Sequence, residues 1–422
     1  MSTPIPLANA EEPNARAIRG ARGARSVIDP TRPAAFFCEP EASAQGTVEQ
    51  VATLFLVNRE CPFTCIYCDL WKQTTVTAVT VDEILGQIDL ALAALPAARH
   101  IKLYNAGNFF DRQAIPVEAW PGIAQRVCGF ETVIVENHPQ LLGEGCLRFR
   151  DLLHEAWAHG PVIQSAQAAR VSSGGPSKKW SQHQGRRHEL VQQESAAGSA
   201  ERDGKPFARY LQQNSALERS QASTEAASQL TSETPEVHLP VATPAREKLE
   251  DKDAIASPEG SAWPAQPPAL EVAMGLETIH PEVWPRLNKQ MTPEDFRRGV
   301  EFLRKEEIEA RAFVLLQPPY LPAGEAVDWA LRSVEFAFDA GVRVVAVIPT
   351  RGGNGWLEQL AARGEFFPPT LAQLGEVLRR GLALRRGRVF VDLWDAERLS
   401  PGGVDAGFDI ELLKRWNLTQ GF

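Results

Sequence analysis

The residue pattern predicts an α/β fold on parallel strands, a barrel or an open sheet, with a long insertion in its middle. From residue 51 onward, short apolar and β-branched runs alternate with amphipathic stretches of helical period. The chain has 422 residues, 44% of them hydrophobic, enough for a large core. Between about residues 160 and 268 the composition shifts to Ser, Gln, Ala, Glu and Pro, and the periodicity stops.

Residues 1–50 read as an irregular N-terminal extension. Arg16, Arg19, Arg22 and Arg25 recur every three residues, which would line one side of a helix. Gly20 and Gly23 interrupt that spacing, so a solvated, frayed tail is preferred to a basic arm for a polyanion. Pro30, Pro33 and Pro40 then punctuate an extended lead-in past Phe36 and Phe37.

The first strand is expected over 51–58. A helix over 81–95 carries Ile84, Ile88 and Leu92 on one side, with Thr80 and Glu83 as a capping box. Strands follow at 100–106 and 132–136, with helices at 117–127 and 146–158. Residues 161–268 bury too little apolar surface to offset their ordering entropy and read as a largely disordered insertion. Order resumes with a strand at 270–275 and a helix opened by Thr292 and Asp295. Strands at 311–317, 342–348 and 388–393 alternate with helices at 324–338 and 371–384.

The net charge of −9 argues against a broad nucleic-acid-coating surface, though not against a local basic patch. The apolar runs are too short to span a bilayer, and the N-terminus lacks the apolar core of a signal peptide. A cytoplasmic protein without membrane association is therefore expected. Six Cys in a chain of this length do not read as a disulfide framework.

Chemistry concentrates after the first strand, in Cys61-Pro-Phe-Thr-Cys65-Ile-Tyr-Cys68. Three thiols in C-x3-C-x2-C spacing cannot saturate a four-iron cluster, so one iron would keep an open position for chemistry. A structural zinc site would need a fourth ligand, and neither a second Cys pair nor a well-placed His supplies one. Three incidental buried cysteines are the other alternative.

This run resembles the signature of the radical S-adenosylmethionine (radical SAM) superfamily, including the aromatic Tyr67 before the third Cys. The resemblance implies a partial (β/α)6 TIM-like barrel over 51–160 and 269–360, closed by a C-terminal α/β segment over 361–422. It implies that Cys61, Cys65 and Cys68 hold a [4Fe-4S] cluster and that S-adenosylmethionine chelates the open iron. A reductant such as ferredoxin or flavodoxin would supply the electron.

The remaining candidates lie at strand ends. Asn105, Gly107 and Asn108 replace the family's Gly-Gly-Glu-like contact to the amino group of SAM; a plain turn is the alternative. Glu136 would meet a ribose hydroxyl or a substrate amine. The neighbouring His138 is read as a proton-transfer residue or a hydrogen-bonded brace. Glu277 stands where relatives of the elongator catalytic subunit contact SAM, and Lys289 or Arg286 would meet its carboxylate. Ile348 and Pro349 would line the adenine. The Gly-rich turn 352–355 could take a phosphate, but it lacks the Lys-Ser/Thr of a P-loop.

Taken together, KLYNAGNFFD, VIVENHP, EVAMGLETIHPEV, RLNK, IPTRGGNG and the terminal NLTQ resemble the radical SAM proteins of archaeosine biosynthesis and their bacterial relatives. That implies a lyase-like enzyme of tRNA modification whose substrate is a modified deazaguanine, free or in tRNA. The chain departs from that family in Ser400–Phe408, which has no Cys. A methylthio- or carboxymethyl-type RNA modifier would need a further domain that is not evident. A degenerate barrel serving as a cluster-binding or partner-binding scaffold is the non-enzyme alternative.

Overall fold

The computed structural model describes residues 14–160, 263–400, 404–405 and 407–422. Its centre is an eight-stranded sheet whose order follows the chain: β1 (Ala35–Ala42), β2 (Val48–Leu56), β3 (His100–Asn105), β4 (Thr132–Glu136), β5 (Ala269–Glu277), β6 (Glu309–Leu316), β7 (Val344–Pro349) and β8 (Arg388–Val391). β1 runs antiparallel to β2, and every later pairing is parallel. The flanks of the undescribed central segment belong to one unit.

The sheet curls into a half-barrel. No pairing joins β8 to β1 among the described residues, so a closed TIM-like barrel is not formed. Among the described residues the α-helices are α1 (Ala15–Ala21), α2 (Val81–Ala94), α3 (Trp120–Val127), α4 (Glu144–His159), α5 (Pro293–Lys305), α6 (Ala326–Ala340), α7 (Trp356–Ala362), α8 (Leu371–Ala383) and α9 (Ile410–Thr419). The Thr80–Glu83 and Thr292–Asp295 capping boxes form as expected, each N-cap contributing about 1 kcal/mol.

Strand alternation sorts the side chains. Leu54, Leu103, Val133, Val135, Val272, Val314, Val345 and Val389 join the core shared with the helices. The opposite face carries a charged floor near the strand N-terminal ends. Glu41 pairs with Arg311 at 2.7 Å and Lys102 at 2.6 Å, and Arg311 also pairs with Glu271 at 2.5 Å. Burial alone would raise the Glu41 carboxyl, but Arg311 and Lys102 hold it well below the usual carboxylate range. Above the floor lies an aromatic layer: Phe37 on Phe55 at 6.2 Å, Phe55 on Tyr104 at 5.9 Å, and Tyr104 on Phe313 at 5.9 Å.

Two expectations for the N-terminus are corrected. Ala35–Ala42 is a regular strand, and Pro40 is tolerated because β1 is an edge. Arg22 and Arg25 do not belong to a solvated tail. Ile18 of α1 is buried in the main core, and both arginines pair with Glu60. The strand expected at 388–393 is β8, which joins the sheet beside β7, and β1 extends the sheet beyond the strands expected. The reading of 161–268 as a disordered insertion falls outside the described residues, except for 263–268. No helix among the described residues is long and apolar enough to cross a membrane.

Candidate active site at the strand C-terminal ends

The thiol loop leaves β2 at its C-terminal end, the end where βα loops build sites in parallel α/β folds. It is braced by two other loops. After β5, Leu287 accepts from the Ile66 amide at 3.1 Å, and the Asn288 side chain donates to the Thr64 carbonyl at 2.8 Å. Asn288 has φ 51°, a left-handed conformation that Asn tolerates. After β7, the Asn354 amide donates to the Ile66 carbonyl, and Lys72 donates to the Gly353 carbonyl.

Cys61, Cys65 and Cys68 are all unbonded thiols, partly buried. Burial, reinforced by the charge of Cys65, pushes the Cys61 thiol up to about 12. Burial likewise raises Cys65 and, well above the ordinary value, Cys68. Three thiolates on one short loop repel one another unless a cation offsets them.

From Cys61 a chain of contacts crosses the mouth. The Asn108 amide donates to the Cys61 sulfur at 3.4 Å, and its carbonyl accepts from the His138 amide at 2.7 Å. The His138 ring stacks on Phe63 at 3.9 Å between centroids. Its Nε2 faces the Lys289 carbonyl at 3.1 Å, and its Nδ1 accepts from the Gln140 amide at 3.2 Å. Both ring nitrogens are thus engaged and the tautomer is set by the backbone. Burial, then the Lys289 charge, holds the imidazole down at about 3, so it is neutral at physiological pH.

Lys289 and Glu277 form the charged centre. The ammonium pairs with the Glu277 carboxylate and lies 3.5 Å from the Tyr67 hydroxyl. Burial would lower Lys289, but Glu277 and Cys65 keep it raised and protonated. Gly275 makes room for this pair, because a Cβ there would overlap both charged groups. Glu277 itself adopts φ 66° at a register shift between β5 and β6, the kind of strain that accompanies functional sites.

Glu136, at the end of β4, has no hydrogen-bond partner for its carboxyl among the described residues. Burial pushes that carboxyl up to about 8. Asn105 is 1% exposed, and neither polar atom of its side chain is satisfied. Asn58 has an equally orphaned buried oxygen, and the two amides converge on Gly107, where a Cβ would stand 2.8 Å from the Asn58 nitrogen. Pro349 is buried, and Ile348 is half-buried at the end of β7.

Two of the candidate groups already have partners within the protein. Arg286 stacks on Tyr320 at 3.4 Å and approaches Glu365 at 3.6 Å. The Gly353 and Gly355 amides both donate to the Glu358 carboxylate, so the Gly-rich turn spends its donors capping α7. Sequence reasoning missed Glu60, Asn58 and Phe63. Gly275, inside an otherwise apolar strand, carried the one local signal for close approach.

Among the described residues, Glu49, His100 and Glu131 are the ligand-type triad whose donor atoms lie within 4.8 Å of one another. Arg99 already bridges Glu49 at 3.3 Å and Glu131 at 2.6 Å, occupying the place a cation would take. Around zinc, three sulfurs would stand roughly 3.8 Å apart, and the thiol loop is not drawn together that tightly.

Fold and site define an α/β protein with a thiol-bearing loop facing a buried ion pair across the strand ends. No family model matches the chain. Over 115 residues it is 26% identical to a protein of Methanosarcina acetivorans named archaeosine synthase subunit beta, covering 27% of this chain and 33% of that protein. Over 112 residues it is 23% identical to an uncharacterised protein of Methanocaldococcus jannaschii, covering 26% and 31%. The matched stretch spans about a third of the length of these curated relatives.

Proposed function

We propose that this chain is a radical SAM enzyme in which Cys61, Cys65 and Cys68 hold a [4Fe-4S] cluster and S-adenosylmethionine occupies the fourth iron. The donor set fits: three thiols on one loop, an orphaned Asn105 amide, an unpartnered Glu136 carboxyl and a buried cation at Lys289. When bound, these groups supply one-electron reductive cleavage of the sulfonium, the source of a 5'-deoxyadenosyl radical.

The protein's own residues bind and orient. Loading requires the three thiols to lose their protons, which burial opposes and a positively charged iron core favours. The Lys289 ammonium, held by Glu277, offers a fixed positive charge to a carboxylate. Glu136 keeps its proton at neutral pH and so can donate to a hydroxyl as well as accept. Asn105, Gly107 and Asn108 would face an amino group, Tyr67 and the apolar Ile348 and Pro349 would line an aromatic base, and Phe63 stacked on His138 would exclude water.

The observation that carries this reading is the approach of Tyr67, inside the three-thiol loop, to the Glu277–Lys289 pair. The partial similarity to an archaeosine synthase subunit supports a substrate of that chemistry, a modified deazaguanine nucleoside or tRNA; a reductant such as ferredoxin or flavodoxin would supply the electron. The test is anaerobic reconstitution with iron and sulfide, reduction, addition of S-adenosylmethionine and assay of 5'-deoxyadenosine. Product from the wild type and none from Cys65→Ala is expected. Failure of the wild type to take up iron would overturn the reading.

A further inference from the structure

The thiol loop is bound on its outer side by a segment that the proposed chemistry does not use. Arg22 pairs with Glu60, the residue before Cys61, at 2.6 Å. Arg25 pairs with the same carboxylate and donates to the Trp71 carbonyl at 2.8 Å and to the Thr74 hydroxyl. The Ser26 amide donates to the Lys72 carbonyl at 3.2 Å. The Arg22 guanidinium lies 4.8 Å over the Trp71 ring. One short segment therefore grips the loop just before its first cysteine and just after its third.

The segment is itself anchored at two points. Ile18, 3% exposed, ties α1 into the main core. The Ala21 carbonyl packs against Gly355, where a Cβ would overlap it. Gly355, at φ 87°, thus permits the crossing as well as the turn. Arg22 and Glu60 are largely buried, at 9% and 18% side-chain exposure, so these contacts are not weak, solvent-screened surface pairs.

We propose that residues 14–26 form a strap that holds the thiol loop in place, with Arg22 and Arg25 as positioning residues acting through Glu60 and the carbonyls of 71–74. Without the strap, the loop's ends are released and its local opening becomes easier. The inference rests on the proposed function only for the purpose of the loop; the strap itself is a property of the protein without a cluster.

The test is alkylation of the cluster-free, reduced protein by iodoacetamide, with each cysteine followed by peptide mass mapping. The variants are Arg22→Met/Arg25→Met and, separately, Glu60→Gln. Cys61, Cys65 and Cys68 are expected to react about tenfold faster, equivalent to about 1.4 kcal/mol of easier opening. The buried Cys128 and Cys146 should keep their wild-type rates. In the arginine variant the loss of two cations would by itself slow thiolate chemistry, so acceleration there reports exposure; Glu60→Gln removes an anion beside Cys61, so in that variant Cys65 and Cys68 carry the test. Arg25→Lys in place of Arg25→Met should restore part of the protection.

Unchanged loop rates would overturn the strap. So would equal acceleration of all five cysteines, which would make the segment a general part of the fold. The two readings fail separately: a wild type that takes no iron but shows loop-selective acceleration loses the proposed chemistry and keeps the strap. A wild type that loads iron with unchanged labelling in the variants does the reverse.

Discussion

The Lys289 ammonium and the Glu277 carboxylate pair across the bare face of Gly275, at the end of β5. Neither partner is more than 12% exposed. A buried pair of this kind adds little net stability, but it is expensive to break, because the surviving charge stays buried.

Gly275→Ala is therefore expected to destabilise the protein by about 2–4 kcal/mol, through overlap with both charged groups. Urea midpoints of the cluster-free protein would read this. A shift below 0.5 kcal/mol would show that the pair does not sit where the glycine makes room for it.

Glu136 makes stability depend on pH. Its carboxyl is raised from 4.5 to about 8, so the folded state keeps a proton that the unfolded chain has lost. Stability from this group falls as pH climbs from about 4.5 to about 8 and is level above. Glu136→Gln removes the slope and should gain roughly 4 kcal/mol over the wild type at pH 8.5 compared with pH 4.5. Parallel stability–pH curves for the two proteins would contradict it.

His138 is expected not to titrate between pH 5 and 8. Burial and Lys289 hold it at about 3, below the unfolded 6.5, so its contribution to stability rises with pH between those values and is complete above. Ring-proton NMR on the cluster-free protein checks this directly. A midpoint near 6.5 for His138 would mean that its ring is not held between Lys289 and Gln140.

The charged floor should be as sensitive as the mouth. Glu41→Ala leaves Arg311 and Lys102 short of a partner at a buried site, at a cost of about 3–5 kcal/mol. The same substitution at Glu294, an exposed i,i+3 partner of Arg297, should cost less than about 0.5 kcal/mol. Comparable losses at the two positions would argue against a buried floor.

Periodicity exposed most of the framework. β4 at Thr132–Glu136, α2 with its Thr80–Glu83 box and α5 behind Thr292 were legible because local pattern and capping chemistry act within a few residues. β1 was not, since Pro30, Pro33 and Pro40 mark the stretch as an irregular lead-in, and only the curled sheet turns Glu41 onto Arg311. Polar residues facing inward carry no signature of their own; their partners, Lys102 and Arg311, lie 61 and 270 positions away.

The same division holds at the site. The spacing of Cys61, Cys65 and Cys68, with Tyr67 beside the last, marks a thiol-ligand loop from local sequence, because three ligands on one loop need no distant partner. Only the tertiary structure brought Lys289 to Glu277 and Tyr67, engaged both nitrogens of His138, set Arg286 on Tyr320 and laid Arg22 and Arg25 over Glu60. Those pairings are choices among many available charges. The register of a curled parallel sheet makes them, by deciding which strand ends meet at its mouth.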